Sequence, residues 1–245
     1  MRIVLDYPSA LPHDLPKQIA KDVFVVHGCV KPNAVIRFSR NMAVVRDNGQ
    51  LTLINPVRMD EAGLLELEKL GQVAHVIRLA PAHGMDDPFY VNRYQAQFWS
   101  FEGGTTYTAP KITQPLSEGC TLPFANGKLF AFKHLHEPEG AILIEPTAER
   151  STGLLLTGDA VQSYQSYPHT NWLGRRMLPL IGFTKETLIS KMWIKFAVEN
   201  QEGIKAEFKR LLALDFDQLL GAHGTFVATG AHQEVKRAFD NKFSQ

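Results

Sequence analysis

Leu154-Leu155-Leu156-Thr157-Gly158-Asp159-Ala160 is the stretch whose reading decides the fold. Three leucines and a threonine read as a short strand buried on both faces. Gly158 turns the chain there and leaves the Asp159 carboxylate at the strand's C-terminal end. On spacing alone Asp159 has two readings. It caps the next segment, or it is a functional group aimed from a strand end, where a rigid sheet fixes side chains.

Strand-rich blocks and helices alternate twice on either side of this stretch. Upstream, Val23 to Val26, Ala34 to Phe38, Met42 to Arg46 and Leu51 to Ile54 are rich in β-branched and apolar residues. Asn48-Gly49 supplies a two-residue hairpin turn, because both positions tolerate positive φ. A helix is predicted over about Asp60 to Leu70, with Asp60 as cap and Gly71 as stop, followed by a strand from Val73 to Leu79. A second helix starts at Asp87-Pro88, with aspartate as cap and proline in the first turn. In the second block, Gly119 to Phe124, Leu129 to Leu135 and Ala141 to Glu145 read as strands, and Asn126-Gly127 as another hairpin signal. Downstream, Leu188, Met192 and Phe196 recur every four residues and predict a long helix from Thr184 to about Asn200. A helix over about Glu202 to Leu214, a short strand from Gln218 to Leu220 and a last helix over about His232 to Phe243 complete the chain. Two packed sheets with helices outside satisfy this order. A doubly wound parallel sheet fits less well, because the hairpins imply antiparallel pairing.

Composition narrows the function classes. In 245 residues, 44% hydrophobic, Lys+Arg number 26 and Asp+Glu 25, for a formal net charge of +1. That balance gives no footprint for nucleic acid or for a charged membrane surface, and Arg175-Arg176 reads as solvated surface. No run of 18 apolar residues exists to span a bilayer, and Asp6 and Pro8 interrupt any leader core. The expected partners are a small molecule and a further copy of the chain, with neither nucleic acid nor membrane. Cys29 and Cys120 form no C-x-x-C pair and read as the reduced thiols of a cytoplasmic protein. The pattern predicts one domain over residues 1–245.

Four loops after predicted strands carry ligand-capable side chains. They are His83-Gly84-Met85-Asp86-Asp87, His134-Leu135-His136, Gly158-Asp159, and Gly221-Ala222-His223-Gly224. Each alone has a plain structural reading: a helix cap at Asp87, a cap at Asp159, a turn histidine at His223, and a pair, His134 and His136, on one face of a strand with one of the two simply exposed. Histidines and carboxylates are also the ligands a zinc-like ion takes, and three of them leave a coordination position open.

The order of these loops resembles the metallo-β-lactamase superfamily over about Val23 to the C-terminus. The T-G-D-A segment Thr157-Ala160 and the A-H-G segment Ala222-Gly224 carry most of the likeness, with His136-Glu137-Pro138-Glu139-Gly140 between the first motif and Asp159. Asn55 stands where an aspartate is common. The resemblance implies an α/β (α+β) four-layer αββα sandwich of two mixed β-sheets. It implies metal ligation by His83, Asp87, His136, Asp159 and His223. Met85 and Pro88 replace two further histidines, which leaves a partial site suited to one divalent ion: zinc by default, iron or manganese as alternatives. Asp87 or Asp159 would orient water for hydrolysis of an ester, thioester, amide or phosphoester. Trp172 and Arg175, in the segment after Asp159, would contact substrate. The competing reading is a binding module on the same fold that has lost its metal, with the five polar residues hydrogen-bonded to one another.

Overall fold

The structure is a computed structural model and describes residues 7–243; Asp6, one of the two residues read above as interrupting any leader core, lies outside them. A seven-stranded sheet runs in chain order: β1 (Lys17–Ala20), β2 (Val23–Val30), β3 (Phe38–Asp47), β4 (Gln50–Ile54), β5 (Gln72–Arg78), β6 (Gln97–Ser100) and β7 (Gln114–Pro115). Pairing is antiparallel from β1 to β4 and parallel from β4 to β7. The switch follows from the connections. Asn48 and Gly49 take φ of 48° and 77° and turn β3 directly into β4. Helices α1 (Glu61–Glu68) and α2 (Asp87–Tyr94) carry the chain back between parallel strands. Asp60 caps α1 by accepting the Gly63 N–H.

The second sheet has the order β13 (Gln218–Leu220), β10 (Leu154–Thr157), β9 (Gly140–Ile144), β8 (Gly127–Ala131). β10 is parallel to β13 and antiparallel to β9. A separate ribbon pairs β11 (Val161–Ser163) with β12 (Thr187–Ile189). Helices α3 (Trp172–Leu180), α4 (Lys191–Phe196), α5 (Gln201–Leu211) and α6 (Ala231–Phe243) complete the elements.

Side-chain alternation builds the layers. Leu154 and Leu156 pack between the sheets against Val25, Val45, Ile77 and Ile142, while Leu155 points the other way, into a core with Trp193, Ile204, Phe208 and Val235 of the helices. On the far face of the first sheet, Val26, Val44, Leu51 and Leu53 pack with Leu64, Leu67 and Tyr90 of α1 and α2. The architecture is a four-layer αββα sandwich of two mixed sheets.

Several local expectations are corrected. Residues 34–36 form a loop, because the Asn33 side chain accepts the Val35 and Ile36 N–H groups. Residues 119–124 are not a strand: Leu122 and Phe124 enter the inter-sheet core without ladder partners. Asn126 therefore makes a turn, with φ of 60°, but joins no hairpin. The long helix expected from Thr184 is a strand followed by a short helix. Thr187, Leu188 and Ile189 pair with β11, and the Ser190 side chain starts α4 by accepting the Trp193 N–H. Asp87 is not a helix cap. The capping position falls on Asp86, whose carboxylate instead accepts from the Arg58 backbone and Arg40.

Candidate metal centre

Three strand ends converge where the two sheets meet. His83 lies in the 3-10 turn after β5, Asp159 in the turn after β10, and His223 in the loop after β13. Asp159 Oδ1 is 3.1 Å from His83 Nε2 and 3.1 Å from His223 Nε2. One ligand atom from each residue lies within 4.8 Å of the other two.

Neighbouring groups fix each member. His223 Nδ1 donates to the Ser39 carbonyl, which turns Nε2 toward Asp159. Asn41 on β3 holds the same loop by donating its side-chain amide to the Gly221 and Gly224 carbonyls, at 2.9 and 3.2 Å. Glu139 Oε1 accepts the Asp159 and Ala160 N–H groups, at 2.7 and 2.9 Å, and its Oε2 accepts from the Trp193 indole. Gly158 is required for that clamp, since a Cβ there would sit 2.6 Å from Glu139 Oε1. Gln162 donates to the Asp159 carbonyl and is itself oriented by the Tyr164 hydroxyl.

The electrostatics follow from burial and these partners. Burial acts to raise the Asp159 carboxyl, but the His83 and His223 imidazoles outweigh it and hold the group well below the usual range. Glu139 goes the other way. Burial first, and then the Asp159 charge, push it up to about 8. Burial also lowers His83; Asp159 opposes that shift, and Arg40 adds to it.

The other expected ligands do not join. Asp87 is fully buried, but its Oδ2 takes the Arg78 Nε–H at 2.6 Å, and it does not line the central cavity. Arg78 is itself held by the Tyr107 and Ala109 carbonyls. Asp87 thus spends its charge on a guanidinium. Burial pushes its carboxyl up to about 6 even so. Arg40, buried in the sheet, donates to Asp86 and to the His83 carbonyl, which sets a second cation beside the site. His136 is exposed at the cavity wall, outside the cluster, because its backbone is drawn to the Ala197 carbonyl. His134 packs against Gly203 instead.

A cavity of about 760 Å³ opens over the three residues. Gly174, Met177 and Leu178 of α3 form part of its wall, together with Phe38, Met85, Ile181 and Phe183. Trp172 and Arg175, expected to touch substrate, do not line it. Trp172 faces solvent beneath Arg176, and Arg175 donates to the Thr170 carbonyl. Sequence reasoning missed Ser39, Asn41, Glu139 and Gln162. The signal available was Ser39-Arg40-Asn41, three buried polar residues at the start of an otherwise apolar strand.

No family model matches the chain, and no curated protein sequence matches it. Solved structures do. The DIM-1 metallo-β-lactamase aligns with a TM-score of 0.64 at 11% identity, over 96% of this chain and 100% of that one. The FIM-1 metallo-β-lactamase from Pseudomonas aeruginosa, in its mono-zinc form, aligns with a TM-score of 0.60 at 11% identity, over 96% and 98%. A metallo-β-lactamase from Erythrobacter litoralis aligns with a TM-score of 0.58 at 10% identity, over 94% and 92%. Identity this low speaks for the fold alone. The chain has the metallo-β-lactamase fold, with a reduced triad of His83, Asp159 and His223 at its strand ends.

Proposed function

We propose that this protein is a hydrolase that uses one divalent metal ion held by His83, Asp159 and His223. One observation carries the reading. His83 Nε2 and His223 Nε2 each lie 3.1 Å from Asp159 Oδ1, and one ligand atom of each residue is within 4.8 Å of the other two. Two nitrogens and one carboxylate oxygen suit zinc, with iron or manganese as alternatives, and leave a coordination position open. A second ion is disfavoured, because the Arg78 and Arg40 guanidinium groups already supply positive charge around Asp87 and His83.

A bound ion would acidify a water molecule and polarise a carbonyl or phosphoryl oxygen. The protein's own residues do the rest. Glu139 and Gln162 fix the Asp159 loop, so its carboxylate keeps one orientation during turnover. Asp159 stays ionised to low pH and accepts a hydrogen bond from an attacking water. The cavity wall excludes bulk water and receives the apolar part of an ester, thioester, amide or phosphoester.

Purified protein reconstituted with zinc, iron or manganese is expected to retain one ion per chain by elemental analysis. Asp159→Ala and His223→Ala should each lose the ion and any hydrolysis found in an ester, thioester and phosphoester screen. Absence of a stoichiometric ion in the parent protein would favour a binding module on this fold, and turnover retained in both variants would remove this site from the reaction.

A further inference from the structure

We infer that the mouth of the cavity docks on an anionic lipid surface. Met85, Met177, Ile181, Met192 and Phe196 line the cavity and are exposed to solvent. Trp172 and Leu180, 69% and 84% exposed, extend the apolar surface along α3. Helices α3 and α4 adjoin there, since Gly182 at the end of α3 lies against the Lys191 side chain that opens α4. An unbroken apolar surface therefore runs from the inner wall out to solvent, which water-facing surfaces rarely tolerate.

Charge selects the occupant. Lys31, Arg175, Arg176, Lys185, Lys191 and Lys195 are exposed on the segments that frame this mouth. The lysines held in ion pairs among the described residues, Lys21, Lys69, Lys128 and Lys236, lie elsewhere. The acids nearby are fewer: Glu137, which accepts from Thr105 and Thr106, Glu186, which accepts from Thr184, and Glu199 carry three negative charges against these six cations. Six cations against three acids on the segments around one cavity mouth, in a chain whose net charge is +1, are a local excess that whole-chain composition conceals. On α4 the stripe Lys191 and Lys195 runs beside the stripe Met192 and Phe196. On α3, Arg175 and Arg176 flank Trp172 and Met177. Interleaved cations and large apolar groups suit a headgroup boundary, where side chains enter the acyl region and ammonium or guanidinium groups meet lipid phosphates. A symmetric contact between two copies would set the cations against one another. Docking of this kind requires no membrane-spanning helix, and none is long and apolar enough to cross a membrane among the described residues. The inference is independent of the metal.

The test is cosedimentation of the full chain with vesicles of phosphatidylcholine alone and of phosphatidylcholine mixed with phosphatidylglycerol. Binding is expected to the mixed vesicles, weakly or not at all to the neutral ones, and to weaken with salt. Lys191→Glu with Lys195→Glu should lower partitioning by at least about ten-fold, since each cation near an anionic surface contributes roughly five-fold. Trp172→Ser with Leu180→Asp should lower it comparably. Both pairs lie at exposed positions, and thermal melts would verify that the variants remain folded. Equal partitioning to both vesicle types, or variants that bind like the parent, overturns the proposal. So does a dimer in sedimentation velocity that the same substitutions dissociate, because the face would then belong to a second copy.

Discussion

Two aspartates beyond strand ends, the fully buried Asp87 and the half-buried Asp159, have opposite fates. Asp87 follows the first sheet and meets one guanidinium, whereas Asp159 follows the second and meets two imidazoles. Desolvation acts on both in the same direction. It prevails at Asp87, whose carboxyl is pushed up to about 6, and loses at Asp159, which is held well below the usual range. Ligand type at a strand end therefore does not define a metal ligand. The partner reached first does. Arg78 supplies at Asp87 the positive charge that an ion would otherwise bring, in a form that exchanges with nothing.

The largest expected effect comes from breaking that substitute. Arg78→Met leaves Asp87 buried without its cation, and removal of one partner of a buried pair costs about 3–5 kcal/mol. Urea unfolding of the metal-free protein at pH 7.5 or so should show that loss, and Arg78→Met combined with Asp87→Asn should recover most of it. A loss below about 1 kcal/mol would mean that Asp87 has another source of charge compensation. The role of Arg78 as a stand-in cation would then be withdrawn.

A smaller effect should appear in the pH dependence, with opposite signs at the two carboxylates. Because the folded Asp87 carboxyl sits at about 6 against an ordinary value of 3.8, the native state binds more protons than the unfolded chain between those values. Stability from this group therefore falls as pH rises from about 4 to 6, by roughly 3 kcal/mol in all. Asp159 works in reverse: its contribution is present above the unfolded carboxylate range and is lost as pH falls through its depressed value. Asp87→Asn should thus remove a falling limb from the stability curve measured in a chelator. If the parent and Asp87→Asn curves have the same slope over that window, Asp87 is ionised throughout and Arg78 compensates it fully.

Much of the layer order was legible, because Leu154-Leu155-Leu156 and the early Asn48-Gly49 turn announce a doubly buried strand and a hairpin through local chemistry. Asp159 and His223 were legible as candidates because short turns hold them directly on strand ends. What local pattern could not supply was partner choice. Arg78 reads as an interruption in an apolar strand, and nothing in its spacing says that it reaches Asp87 nine residues on. The repeat of Leu188, Met192 and Phe196 has helical spacing, yet β11 claims Leu188 through main-chain hydrogen bonds that a one-dimensional pattern does not contain. The same gap hid Glu139. It reads as one member of a Pro-Glu-Gly turn, and only the fold brings its carboxylate beneath the Asp159 amide.

His136 gives the finest test of the comparison, and its expected effect is the smallest. Its place in the motif order matches a ligand, but its backbone N–H is bonded to the Ala197 carbonyl at 2.9 Å, and its ring is exposed on the cavity wall. A side chain that keeps its hydration loses little by truncation and holds no ion. His136→Ala should therefore leave metal stoichiometry unchanged and shift the affinity for zinc by less than about three-fold in competition with a chelator, a shift worth under roughly 0.7 kcal/mol. A ten-fold or greater loss would make His136 a fourth ligand. It would also mean that metal binding draws the segment after β8 inward, so that the first sheet's His83 and the second sheet's Asp159 and His223 form the resting half of a site that closes around its ion.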